Sequence, residues 1–211
     1  MITPDKKFWD VFRNTDGALS CAEALAIIQV AALAPSGIYV EAGTHKGKSA
    51  LAACFGLQSG KFYLIDPIFE YNDVCKGLAD TFFAYPSTHI EKVLEADISI
   101  NVLNKFGNDT LAYCMLDSGD HDQVVKDEVR IIEDKMVSGG IVGFHDIDSQ
   151  FISVRYAYNY LISTGKYEPV GINWSEIVAY CESENLEDGT NKSWHHNELK
   201  HPQFFGALRK K

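Results

Sequence analysis

No apolar run in the 211-residue chain is long enough to cross a bilayer, so a membrane is not an expected partner. No hydrophobic segment follows Met1-Ile2-Thr3-Pro4-Asp5-Lys6-Lys7, and a secretory leader is therefore not expected. Basic residues are scarce, with 19 Lys and Arg against 29 Asp and Glu and a net charge of −10. A surface that tracks phosphate backbones needs clustered Lys and Arg, so nucleic acid is not the expected substrate. The five cysteines (Cys21, Cys54, Cys75, Cys114, Cys181) are odd in number and lack C-x-x-C spacing. That pattern argues against a disulfide scaffold and for reduced thiols in a cytoplasmic protein. Low-complexity tracts and internal repeats are absent as well.

What remains is an ordinary globular composition, 46% hydrophobic and 23% charged, in a chain expected to form a single domain burying roughly 70% of its unfolded surface. Strand-like runs at 38–42, 61–65, 88–93, 110–117 and 139–145 alternate with helical segments near 46–58, 72–84, 99–106, 121–137 and 149–164. Val125, Val129, Ile132 and Met136 mark one face of the clearest helix. Such alternation predicts βαβ units and a parallel sheet whose ligand site lies beyond the carboxyl ends of its strands. Ahead of this core, in residues 1–35, Ser20-Cys21-Ala22-Glu23 is a capping box opening an Ala-rich helix. After it, residues 167–174 and 176–182 read as a terminal β-hairpin, closing a core of about 36–182. The aromatic-rich stretch 67–87 is either a cap over the pocket or a helix packed on the sheet. Residues 183–211, with His195, His196 and His201, read as a polar tail without assigned chemistry.

The most informative stretch is Ile38-Tyr39-Val40-Glu41-Ala42-Gly43-Thr44-His45-Lys46-Gly47-Lys48-Ser49, an apolar strand running into two glycines that open a helix. Gly43 permits a sharp turn and close backbone approach, Gly47 suits tight helix packing, and the free N–H groups of the helix would face a ligand. The spacing fits neither G-x-G-x-x-G nor the P-loop. With Glu41 it resembles motif I of the class I S-adenosylmethionine-dependent methyltransferases, where the acidic residue sits beside the methionine amino group. That resemblance implies cofactor contacts from Glu41, Gly43, Thr44, Gly47 and Ser49; Lys46 either meets the cofactor carboxylate or, the commoner outcome, is a surface lysine. Asp66, closing Phe62-Tyr63-Leu64-Ile65-Asp66, is placed to accept the ribose hydroxyls. Asp97 falls where the superfamily contacts adenine.

A second signal is Leu116-Asp117-Ser118-Gly119-Asp120-His121 followed, after the amphipathic helix, by Gly139-Gly140-Ile141-Val142-Gly143-Phe144-His145-Asp146. Together these resemble a branch containing small-molecule and sugar O-methyltransferases, in which the fourth strand ends in D-x-D-H or D-G-D-H and the fifth carries G-G-x-x-x-x-H-D. The chain departs from that pattern by one inserted residue, and the alignment takes Asp117 as the first acid. By this resemblance Asp117, His145 and Asp146 converge beside the sulfonium methyl, where Asp117 also contacts cofactor. They form a candidate divalent-metal site, for Mg²⁺ or, given the imidazole, a softer ion. The alternative is a hydrogen-bonded group without metal. His121, His145 and Asp117 are the catalytic candidates. His121, at a helix N-terminus that favours its neutral form, either accepts an acceptor proton or merely caps the helix or binds adenine.

The resemblance covers about residues 36–182. It implies an α/β, Rossmann-like class I methyltransferase fold, with a mostly parallel seven-stranded sheet, a terminal antiparallel hairpin and helices on both faces. It further implies methyl transfer from S-adenosylmethionine to a hydroxyl of a small molecule such as a sugar or phenol. Two alternatives stand beside this: a cofactor-binding protein of the same fold without turnover, and a Rossmann-type oxidoreductase. The latter is disfavoured by the glycine spacing and the lack of Tyr-x-x-x-Lys. The acceptor's identity is open, and so is assembly into a homodimer.

Overall fold

Five apolar runs pair side by side as parallel strands, a pairing that a tight hairpin turn cannot join. The computed structural model describes residues 1–15, 17, 19–73, 89–118, 122–147, 152–186 and 205–211. The strands are β1 (Gly37–Ala42), β2 (Gly60–Ile65), β3 (Ile90–Glu95), β4 (Leu111–Leu116), β5 (Met136–Phe144), β6 (Tyr167–Pro169) and β7 (Gly206–Lys210). They form one sheet in the order β3-β2-β1-β4-β5-β7-β6. Strands β1 to β5 are parallel, and β7 is antiparallel to both of its neighbours. All six residues of central β4 are buried, as a strand covered on both faces requires.

The helices are α1 (Lys6–Asn14), α2 (Cys21–Ala31), α3 (Lys48–Gly56), α4 (Ser99–Lys105), α5 (Asp122–Lys135), α6 (Ile152–Ser163) and α7 (Trp174–Ser183). One core lies between the sheet and α1, α2, α3 and α7, and includes Phe8, Leu25, Ile28, Tyr39, Phe62 and Ile177. The opposite core, with α4, α5 and α6, holds Val40, Ile65, Val129, Ile132, Phe144 and Leu161. The predicted capping box is present on α2: Glu23 N–H donates to Ser20 Oγ at 3.1 Å, and Ser20 N–H donates back to Glu23 Oε2 at 3.0 Å. Among the described residues, no helix is long and apolar enough to cross a membrane.

The register is the feature that makes a site. Ala42 pairs with Ile65 on one side and Leu116 on the other, and Leu116 pairs with Phe144. Four strands therefore stop in one row, and the next residues of the chain, Gly43, Asp66, Asp117 and His145, emerge together at the carboxyl edge.

Two expectations need correction. Residues 176–182 are helical rather than the second arm of a hairpin. The Asn173 side chain caps α7 by accepting from Glu176 N–H at 3.3 Å, and Ile177 and Cys181, one turn apart, are its buried residues. A short continuous apolar run such as Ile177-Val178-Ala179-Tyr180-Cys181 fits either period, and here the cap decides. The antiparallel partner of β6 is β7, from the segment expected to be a tail; it slots between β5 and β6 and buries Ala207 and Leu208. Residues 67–70 form a single 3₁₀ turn, whereas the remainder of the aromatic-rich stretch from 74 onward, His121, His195, His196 and His201 lie outside the described residues.

Leu208 is fully buried between the two sheet neighbours of β7. Leu208→Ala is expected to cost about 2–5 kcal/mol in a urea unfolding experiment. A loss below about 0.5 kcal/mol, the usual surface value, would show that this segment is not a core strand.

Candidate functional site

The glycine turn is built by backbone. Gly43 has φ +84°, and a Cβ there would sit 2.1 Å from the Asp117 carbonyl oxygen, so the close approach that requires glycine is to the end of β4. Gly43 N–H and Thr44 N–H both donate to the Ile65 carbonyl, at 2.9 and 3.2 Å. Gly47 serves by conformation, since it caps α3 at φ +80°, a left-handed geometry that costs other residues more. Asp66 locks the turn from β2: its Oδ2 accepts from His45 N–H at 2.7 Å and its Oδ1 from Ile68 N–H at 2.9 Å. Each carboxylate oxygen keeps a second lone pair, so capacity for hydroxyl donors remains.

A cavity of about 260 Å³ opens at this edge, walled by Gly43, Thr44, His45, Lys46 and Ser49 on one side and by Asp117, His145 and Asp146 on the other. Gly17, Leu19 and Lys48 complete the wall. Sequence reasoning missed Gly17 and Leu19, while Lys48 was expected to line or flank the glycine turn. The Lys48 ammonium donates to the Gly17 carbonyl at 3.2 Å and lies 4.6 Å from the centre of the Phe12 ring, strapping the α1–α2 connection over the cavity. Asp66 and Asp97 are not part of this wall. Asp97 accepts from Ile98 N–H and Asn101 Nδ2, each at 2.8 Å, at the start of α4.

Asp117, His145 and Asp146 do come together: each can offer one atom, and these atoms lie within 4.8 Å of one another. His145 Nδ1 is 3.5 Å from Asp117 Oδ1 and 3.3 Å from Asp146 Oδ2, and its Nε2 is 3.3 Å from Oε1 of Glu23. Burial would depress the His145 pKa, but the charge of Asp117 and contacts with Asp117, Asp146 and Glu23 outweigh it and raise the pKa well above the usual imidazole range. For Glu23, burial pushes upward, and the histidine and Ser20 overcome it to leave the carboxyl below its ordinary value. Asp146 adopts φ +60° and His45 φ +48°, so two of the four left-handed non-glycine residues among those described border this cavity. Backbone held in that region persists where its surroundings fix it, commonly at functional sites.

Glu41 lies one step behind the wall. It is fully buried, and neither carboxylate oxygen has a hydrogen-bond partner among the described residues. Burial drives its pKa up to about 8, offset in part by the nearby Ser49 and Thr44 hydroxyls and reinforced by the charges of Asp117 and Asp66. On the other face, Ser118 donates to Glu128 Oε2 at 2.7 Å, and burial pushes the Glu128 pKa up to about 7. A buried carboxylate in want of donors is complemented by a cationic group.

An open α/β sheet with a glycine turn after β1, an acid after β2 and an antiparallel edge beyond β5 defines a class I, S-adenosylmethionine-dependent type of methyltransferase architecture. The chain belongs to the family described as "Methyltransferase domain", whose profile matches residues 40–147, just over half of its length. No curated protein sequence matches it closely enough to refine that assignment. Among solved structures it is similar to a protein from Corynebacterium glutamicum, at 16% identity and TM-score 0.61, over 81% of this chain and 86% of that one. It is also similar to the O-methyltransferase TomG of Streptomyces achromogenes, solved with SAM, at 14% identity and TM-score 0.57 over 82% and 84%. An rRNA methylase from Streptococcus thermophilus matches at 13% identity and TM-score 0.53 over 89% and 93%. Such distant likenesses concern the fold.

Glu41 and Glu128 each bind a proton more tightly in the folded chain than at the ordinary carboxylate pKa of the unfolded one. The stability this gives is complete below about pH 4.5 and is lost as pH rises through about 7 for Glu128 and about 8 for Glu41. Glu41→Gln and Glu128→Gln should each flatten the fall in unfolding free energy between pH 5 and pH 8, by up to roughly a few kcal/mol. Chemical denaturation at the two pH values tests this, and variants with the wild-type slope would contradict it.

Proposed function

We propose that the protein transfers a methyl group from S-adenosylmethionine to a hydroxyl of a polar small molecule, assisted by a divalent cation. The observation that carries this reading is the convergence of Asp117, His145 and Asp146 on the cavity beside the glycine turn. Glu41, with two buried and unpartnered oxygens, fits the cofactor's ammonium, and the spare lone pairs of Asp66 fit its ribose hydroxyls. Thr44, Gly47 and Ser49 would line the same cofactor, with Asp97 toward the adenine. When bound, that cofactor supplies an electrophilic methyl on a sulfonium.

Asp117, His145 and Asp146 offer two carboxylate oxygens and one imidazole nitrogen, a donor set suited to a divalent ion that would lower the pKa of an acceptor hydroxyl. The chain's own part is positional. The ends of β4 and β5 would hold an acceptor oxygen against the cavity, so orientation supplies much of the acceleration. His121, or His145 where it is neutral and holds no cation, takes the hydroxyl proton. The acidic chain, with 29 Asp and Glu against 19 Lys and Arg, suits a small polar acceptor better than a polyanion. The O-methyltransferase TomG among similar folds supports the oxygen acceptor.

Calorimetry and a turnover assay over a panel of sugars and phenols test the reading together. Asp66→Ala should weaken S-adenosylhomocysteine binding by one to two decades, the worth of about 1.5–3 kcal/mol in charged hydrogen bonds. Chelation should suppress turnover and leave cofactor binding nearly intact. Turnover that survives exhaustive chelation would remove the cation, and a folded protein giving no heat with the cofactor or its product would overturn the assignment.

A further inference from the structure

The Glu23 side chain serves two masters, and its two oxygens are divided between them. Oε2 closes the capping box, accepting from Ser20 N–H at 3.0 Å and from Ser20 Oγ at 2.9 Å. Oε1 faces the other way, 3.3 Å from Nε2 of His145, an ion-pair contact that falls short of hydrogen-bond alignment. Both side chains are nearly sealed from solvent, at 3% exposure for Glu23 and 12% for His145. Glu23 lies outside residues 40–147, so this contact is made by a helix that the family profile does not include.

We propose that Glu23 is a positioning residue of the site, holding the His145 ring with Nε2–H toward α2 and the Nδ1 lone pair toward Asp117 and Asp146. The chemistry follows from what each atom can do. A carboxylate only accepts, so the ring nitrogen opposite Oε1 must carry hydrogen, and a neutral imidazole then has its acceptor at the other nitrogen. That other nitrogen is 3.5 Å from Asp117 Oδ1 and 3.3 Å from Asp146 Oδ2. In the neutral ring three acceptors then meet on one side, and either a second ring proton, giving the imidazolium, or a metal cation between them relieves it. A carboxylate behind the far nitrogen of a ligating histidine sets both its orientation and its basicity, and its loss typically costs 10–100-fold in metal affinity. The inference rests on the metal reading above only for its functional consequence; the ring orientation stands apart from it.

Glu23→Gln separates this role from helix capping, because glutamine also completes a capping box. With its amide oxygen kept at Ser20, the glutamine turns an NH₂ toward Nε2, which must then accept, and the proton moves to Nδ1. Ser20→Ala does the reverse, breaking the cap and leaving the carboxylate. Cobalt(II), added alone, is followed by calorimetry and visible absorption. Long-range ¹⁵N–¹H spectra of the metal-free protein at alkaline pH, with His145→Asn to identify the signal, report which ring nitrogen carries hydrogen.

The expected result is Nε2–H in the wild type, Nδ1–H in Glu23→Gln, and a 10–100-fold weaker cobalt affinity in Glu23→Gln at a near-wild-type melting temperature. Ser20→Ala should melt lower with cobalt affinity within about twofold of wild type, since its loss is that of a helix cap. If wild type binds cobalt and Glu23→Gln binds it equally with an unchanged tautomer, the role of Glu23 is refuted while the metal site stands. If no variant binds cobalt, the metal reading fails, and the spectra alone decide Glu23: Nε2–H lost in Glu23→Gln supports it, and Nδ1–H in the wild type overturns it.

Discussion

Parallel strands that end in one row bring the residues following them into contact, whatever their charge. Because Ala42, Ile65, Leu116 and Phe144 are register partners, Asp66, Asp117 and His145 leave the sheet side by side. Gly43 lets this edge close further, since any Cβ there would collide with the Asp117 backbone. Acidic groups that would separate in water are therefore held together by backbone hydrogen bonds they do not control. The site's electrostatics follow from that constraint. Glu41 is driven toward its protonated form and His145 toward its charged one, and the left-handed backbone of Asp146 is tolerated in between.

Around this edge the chain adds parts from both of its ends. The α1–α2 connection is strapped over the cavity by Lys48, whose ammonium meets the Gly17 carbonyl and the Phe12 ring. Glu23 reaches the same cavity wall from α2 through His145. At the far side β7 inserts beside β5 and holds it from the edge opposite β4. The row of strand ends is thus braced on both flanks.

The fold itself leaves the chemistry undecided, because the same architecture appears in the TomG O-methyltransferase and in an rRNA methylase at comparable distance. This chain has an acidic balance and an imidazole set among carboxylates. These are properties of side chains rather than of topology.

Local pattern was enough for much of this. Alternating strand and helix runs identified β1 to β5, and the four-residue capping box identified the start of α2, because both depend on neighbours within a few positions. The glycine turn and Asp66 stood out by their spacing against strand ends, whereas Glu41, Asp117, His145 and Asp146 were singled out by the family resemblance. The hairpin was not: residues 176–182 carry an apolar run that suits either period, and the true partner of β6 lies about forty residues further on, a distance over which no local pattern reports. Glu23 was legible only as a helix cap. Its second oxygen, the burial that lifts Glu41, and the packing of Gly17 on Lys48 depend on which surfaces meet across the fold. Sequence by itself determined β1 to β5, the start of α2 and the residues that could do chemistry; the tertiary structure alone decided the edge of the sheet and the partners, because pKa, tautomer and strand order depend on separations in space that the chain does not encode locally.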